Sequence, residues 1–185
     1  MEKNWLERTE LLIKENGIEK LQNANVLVVG LGGVGSFAAE FLARAGIGKI
    51  TIVDGDVVDI TNVNRQLPAL HSTVGKPKVE IVGDRMMDIN PKLELTKINE
   101  FLVAERIEEI VDSQSFSYIL DCIDSVTPKI TLIRIAKRKK IKVVSCMGAG
   151  GKTDPSKVMV RDISKTYNCF LAKNVRKRLK KEKIN

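Results

Sequence analysis

Histidine is almost absent: His71 is the single one in 185 residues. That excludes a multi-His metal site and leaves His71 to be expected on a loop or surface. Cysteine is scarce too, with Cys122, Cys146 and Cys169. The number is odd and the spacings are wide, so no disulfide framework is expected. No C-x-x-C occurs, which excludes the commonest structural zinc pattern. No apolar run reaches ~18 residues, so no membrane-spanning helix is expected. The first residues, MEKNWLERTE, are charged and lack an apolar core; no signal peptide is read there, and a cytoplasmic protein is expected. Internal repeats and low-complexity linkers are also missing.

What is present is a chain of one domain's length with 43% hydrophobic residues, enough for a core. The net charge is +8 and the pI is about 9.4. The excess is uneven: Lys173 to Lys183 holds seven Lys/Arg and one acid. A second basic cluster runs from Arg134 to Lys142. Such a balance suits an anionic partner, whether nucleic acid, nucleotide or membrane surface. The plainer alternative is a solvated basic face.

Short Val/Ile-rich runs alternate with amphipathic segments. Strands are expected at Val26–Val29, Lys49–Val53, Glu94–Ile98, Tyr118–Ile123 and Lys142–Ser145, bounded by Gly, Asp or Pro. Val34, Phe37, Ala38, Phe41, Leu42 and Ala45 share one helical face, and Gly46 can end that helix. Further helices are expected at about 76–88, 103–112 and 127–140, with a leading helix at roughly 2–15 that stops near Asn16-Gly17. After Gly148 the alternation gives way to a loop, a short strand at Val158–Arg161 and a basic helix at Leu171–Lys181. The fold class is α/β: a doubly wound, mostly parallel, Rossmann-like sheet with an N-terminal helix and a short basic C-terminal appendage. The chain divides into a helical segment (1–24), a nucleotide-binding domain (25–150) and the appendage (151–185).

GLGGVG, from Gly30 to Gly35, follows a strand and opens a helix. Gly30, Gly32, Gly33 and Gly35 permit close backbone approach, and the helix N-terminus offers N–H groups to phosphate. NAD, FAD and ATP all use such a loop. Asp54 ends the next strand, where a ribose-binding acid belongs. The following segment, DGDVVDITNVNRQ, carries Asn62, Asn64, Arg65 and Gln66 toward the carboxyl end of the sheet. An arginine there can hold phosphate oxygens bidentately. Lys78 near a helix start can reach phosphate, and Asp124 after the fourth strand can hold Mg²⁺. Each has an ordinary reading as a cap or surface charge. Together they form a triphosphate and metal constellation, and NAD chemistry needs neither the lysine nor the metal.

GLGGVG, VDGDVVDITNVNRQ, TVGKPKVE and DCIDS, in that order, resemble the ThiF/MoeB/HesA family of adenylating enzymes related to ubiquitin-activating enzymes. The resemblance runs from about Arg8 to Leu179. It implies a homodimer that adenylates a carboxylate with Mg-ATP. It implies Gly33 against ATP, Asp54 on the ribose, Asn62, Asn64, Arg65 and Gln66 as ATP contacts, Lys78 on phosphate, and Asp124 with Ser125 near the metal. Arg8 would reach across to the partner's nucleotide. Within the family, RTELLIKENGIEKL, GDRMMDINP, SVTPK and MGAGGKTDPSK resemble the subgroup that cyclises threonylcarbamoyladenosine in tRNA with loss of water. Arg65, Lys78, Asp124 and Arg8 are then the expected catalytic set, and tRNA the partner. The alternatives are adenylation of a ubiquitin-like sulfur carrier in a sulfur relay, and a nucleotide-holding dimer partner without turnover. Three departures stand out. Lys14 replaces an expected glycine, Asn168-Cys169-Phe170-Leu171 replaces a DPL-like segment, and the sequence stops at Asn185, short of its relatives.

Overall fold

Strands rich in Val and Ile that are apolar on both faces cannot stay in water, and helices must cover them. The computed structural model, which describes residues 4–184, has five strands, the central ones of this kind: β1 (Asn25–Val29), β2 (Lys49–Val53), β3 (Glu94–Ile98), β4 (Tyr118–Asp121) and β5 (Lys142–Ser145). They form one sheet in the order β3-β2-β1-β4-β5, and every pairing is parallel. All five residues of central β1 are buried, while the edge strands β3 and β5 are only partly covered. Six α-helices accompany the sheet: α1 (Glu7–Gln22), α2 (Gly35–Arg44), α3 (Lys78–Ile89), α4 (Ala104–Asp112), α5 (Val126–Arg138) and α6 (Phe170–Lys181). The doubly wound Rossmann-like expectation holds.

Alternate residues of β1 feed two cores, as a pleated strand requires. Val26 and Val28 pack with Ala39 and Ala43 of α2 and Val79, Val82 and Met86 of α3. Leu27 and Val29 pack with Ile107 and Ile110 of α4 and Leu132, Ile135 and Ala136 of α5. A third cluster joins Ile130 and Ile133 of α5 to Val175 and Leu179 of α6, so the basic tail is docked by apolar contacts. In register, Val29 lies beside Val53 on one side and Asp121 on the other. Three loops therefore leave the sheet at one level, around the point where strand order reverses.

Three expectations are corrected. The leading helix is interrupted at Lys14, just before the expected stop at Asn16-Gly17, but a second helical stretch then runs on to Gln22. Ile18 is buried and Leu21 packs on the first core, and that burial outweighs the helix-breaking tendency of glycine. The expected residues 2 and 3 of that helix lie outside the described residues. The strand expected at Val158–Arg161 does not form: all four residues are exposed and pair with nothing among the described residues. β4 ends at Asp121 rather than Ile123, because Cys122 onward turns into the next loop.

Lys14, the residue standing for an expected glycine, interrupts α1 with φ 64° and ψ 174°. This region is essentially reserved for glycine, and a side chain there costs about 1–3 kcal/mol. Lys14→Gly should therefore raise stability by about 1 kcal/mol and Tm by roughly 3 °C. Lys14→Ala, which keeps a Cβ at the strained position, should give no such gain in thermal denaturation.

Candidate functional site

The loop after β1 is built on a contact that tolerates no side chain. A Cβ on Gly35 would lie 1.7 Å from the carbonyl oxygen of Gly30, and Gly30 itself has φ 90°. Helix α2 thus begins directly over the end of β1. The Leu31 N–H donates to Asp54 Oδ2 at 2.6 Å, and the Asp56 N–H donates to Asp54 Oδ1 at 2.8 Å. Among the described residues, the N–H groups of Gly32, Gly33 and Val34 have no acceptor. Free N–H groups at a helix N-terminus form a ready anion site.

The segment after β2 wraps against this loop. A Cβ on Gly33 would lie 3.2 Å from the Arg65 carbonyl oxygen, and one on Gly32 would lie 3.8 Å from the Gln66 amide nitrogen. Gln66 Oε1 is buried and unpartnered, so a ligand with a donor would satisfy it. Arg65 is exposed, its guanidinium donating to Thr61 O at 2.9 Å and Asn64 Oδ1 at 3.0 Å. Asn62 is buried and accepts from the Asp59 N–H, closing a capping box, so one of its side-chain groups already serves the fold. Lys78 Nζ sits 2.8 Å from Asp56 Oδ2, and the Lys78 side chain is only 5% exposed. An isolated bridge between Val57 and Pro77 holds those two segments together. Gly30, Gly32, Gly33, Gly35, Asp54, Arg65, Gln66 and Lys78 thus lie around the carboxyl ends of β1 and β2.

The third wall leaves β4. The Cys122 N–H donates to Val29 O at 2.8 Å, and a Cβ on Gly35 would lie 2.9 Å from Cys122 Cβ. Asp124 and Ser125 follow, both exposed. Ser125 is the N-cap residue of α5 but makes no side-chain cap. Among the described residues, the Asp124 carboxylate has no hydrogen bond or ion pair. No group of three His, Cys, Asp or Glu side chains gathers there. Mg²⁺ asks for less, since one or two carboxylates suffice when phosphate oxygens complete the shell. Arg8 is not brought to this site within its own chain. It lies in the first turn of α1 beside Leu6, which packs against Gly46 beyond the far end of α2, about 15 Å from the loop.

Beneath the site lies a pair that the motifs did not reveal. Lys129 and Asp121 have fully buried side chains and meet at 2.7 Å. Burial pushes the Asp121 carboxyl up, against the pull of Lys129 and Ser145. The available signal was a lysine on the apolar stripe of α5, next to Ile130 and one turn before Ile133. Cys122 and Cys146 face each other at 3.8 Å across neighbouring strands. The Cys122 thiol donates to Cys146 and holds it down, to about 7, while the same contact and burial push Cys122 up. Cys169 caps α6, its sulfur accepting from the Ala172 N–H at 3.4 Å. No helix among the described residues is long and apolar enough to cross a membrane.

The sequence pattern of the ThiF family matches residues 6–184. The chain belongs to the ThiF family. It is 49% identical over 177 residues to a Bacillus subtilis tRNA threonylcarbamoyladenosine dehydratase, covering 96% of this chain and 69% of that protein. A crystal structure of Escherichia coli tRNA N6-threonylcarbamoyladenosine dehydratase in complex with ATP superposes with a TM-score of 0.91 at 43% identity. It covers 95% of this chain and 72% of that one. The complex of the same enzyme with AMP superposes equally well, with a TM-score of 0.91 at 42% identity, over 94% of this chain and 70% of that one.

Asp54 ties the glycine loop to β2 whatever the ligand. Asp54→Ala should lower stability by about 2 kcal/mol, the scale of losing two hydrogen bonds to a charged group. Amide hydrogen exchange at Leu31 should rise, while exchange at Leu27 in the centre of β1 stays slow.

Proposed function

We propose that the chain uses Mg-ATP to adenylate the threonine carboxylate of N6-threonylcarbamoyladenosine in tRNA and then closes the ring with loss of water. The observation that carries this reading is the match, at 43% identity and a TM-score of 0.91, to an ATP-bound dehydratase of that modified base. The open N–H groups of the glycine loop, the unpartnered Gln66 oxygen and the unpaired Asp124 carboxylate support it from within the chain.

A carboxylate is already ionised at neutral pH, so no general base is needed for its attack on the α-phosphorus. Catalysis is then a matter of positioning and charge. In this reading the N–H groups around Gly32 and Gly33 receive phosphate oxygens, and Gly30 and Gly35 set the shape of the loop. Asp54 holds the ribose, with Asn62, Asn64 and Gln66 as neighbouring contacts. Arg65 and Lys78 hold the polyphosphate. Asp124, with Ser125, would hold Mg²⁺, which supplies neutralisation of the phosphate charge. The carboxylate oxygen bonds to the α-phosphorus as pyrophosphate leaves. A nucleophilic atom of the neighbouring carbamoyl group then bonds to the acyl carbon as AMP leaves, and the ring closes.

Arg8 serves this reading only from a second copy, in a homodimer. Leu12 is 82% and Phe41 65% exposed, and such apolar surface favours a partner. The protein would act in the cytoplasm, where its tRNA is. For tRNA, the exposed side of α6 offers Lys173, Lys177, Arg178, Lys180 and Lys181. Lys177, Arg178 and Lys181 line an open cavity of about 260 Å³ with Val126 at the start of α5. Val126 directly follows Asp124 and Ser125 in the sequence.

Incubation with ATP, Mg²⁺ and tRNA carrying N6-threonylcarbamoyladenosine should yield a nucleoside lighter by one water, read by mass spectrometry. Arg65→Ala and Lys78→Ala should each abolish ATP turnover; full turnover in both would remove them from the site. Adenylation of a sulfur carrier would instead appear as pyrophosphate exchange dependent on a carrier protein. Deleting α6 would expose the third core, so its charge is better tested by Lys177→Gln with Lys181→Gln. That variant should weaken tRNA binding and lower the salt slope by about 2, with ATP binding unchanged. Unchanged tRNA affinity would leave α6 a solvated face.

A further inference from the structure

The SVTPK segment carries a lysine that the reading above does not use. Lys129 is the fourth residue of α5, and its side chain is fully buried. The ammonium runs back under the ends of two strands. It donates to Asp121 Oδ2 at 2.7 Å, Ser145 Oγ at 3.3 Å and the Cys146 carbonyl at 2.9 Å. An ammonium has three protons, and all three are used. Asp121 is held as completely. Its Oδ2 accepts the Ser145 hydroxyl at 2.5 Å as well as Lys129, and its Oδ1 accepts the Ile123 N–H at 3.1 Å.

The two loops that leave β4 and β5 are thus fastened to one cation. The Ile123 N–H lies one residue before Asp124, and the Cys146 carbonyl opens the segment that runs to Gly150. Buried ion pairs of this kind contribute little net stability, since well-packed apolar residues of similar volume do as well. What apolar residues cannot do is fix the direction of three acceptors at the ends of two neighbouring strands.

We infer that Lys129 and Asp121 are positioning residues, a buried clamp that aims the Asp124 carboxylate at the nucleotide's metal and holds the loop after β5 beside it. The inference rests on the reading of Asp124 given above. Neither residue touches substrate; both act through the backbone of Ile123 and Cys146.

The test replaces the pair as a unit, Asp121→Leu with Lys129→Met, which leaves no uncompensated charge. The variant should melt near the wild-type temperature. Amide exchange at Ile123 and Asp124 should accelerate, and the Mg²⁺ concentration giving half-maximal ATP binding should rise about tenfold to a hundredfold, the usual effect of losing a residue that orients a metal ligand. Ser145→Ala, which removes one hydroxyl and keeps the ion pair, should shift both readouts in the same direction by less, and it answers the question if the double variant does not fold. Asp124→Ala serves as the control. If it loses the Mg²⁺ dependence while the double variant and Ser145→Ala keep wild-type exchange and Mg²⁺ response, the clamp is refuted and the site reading stands. If Asp124→Ala behaves as wild type, the reading of Asp124 falls and the clamp falls with it.

Discussion

Everything at the carboxyl end of the sheet depends on one close contact, that of Gly35 with the carbonyl oxygen of Gly30. A single methyl group at position 35 would collide with it at 1.7 Å. Because the two glycines can touch, α2 starts immediately over the end of β1 and points its first N–H groups outward. The loop that results is short enough for Leu31 to reach the carboxylate of Asp54 and for Cys122 to pack under Gly35. The three strand ends then meet at one level. Without that contact α2 would stand off from the sheet, and the core shared by Ala39 and Ala43 would open.

The charges around this point follow a common plan. Several groups at the crevice are short of partners, namely the N–H groups at Gly32 to Val34, the Gln66 oxygen and the Asp124 carboxylate, while Asp54, Arg65 and Lys78 already have them. Those below it are fully satisfied, Lys129 and Asp121 most of all. A polar group without a partner is costly when buried and useful when a ligand completes it. The division between open groups above and closed groups below separates the parts of the chain that meet a ligand from the parts that hold the fold.

Much of this was legible in the sequence. Parallel strands buried on both faces leave continuous apolar runs, and all five were located, three with both ends correct. The glycine loop after β1, Asp54 after β2 and Asp124 after β4 lie where glycine spacing and strand ends, which are local signals, put them. The misses have physical causes. The continuation of α1 past Gly17 depends on Ile18 and Leu21 meeting a core built by distant segments. Val158 to Arg161 has strand-forming residues, but all four stay exposed and pair with neither edge strand of the sheet. The pairing of Lys129 with Asp121 spans 8 residues and two elements, and no spacing rule marks it. Lys14, by contrast, was flagged by resemblance alone, as a residue where glycine was expected, and its backbone bears the strain that glycine would have avoided.

Lys78 meets Asp56 before any ligand arrives. An anion that reaches this nearly buried ammonium competes with a carboxylate already 2.8 Å away, so association would be in part an exchange of negative partners. A singly charged ion gains nothing by the swap. A ligand that brings several charges can take the lysine and also occupy the open N–H groups of the glycine loop and the Arg65 guanidinium, which a lone carboxylate cannot do. In the proposed reading the pair would set a threshold: it keeps a buried cation neutralised at rest and would favour a polyanion over a singly charged ion.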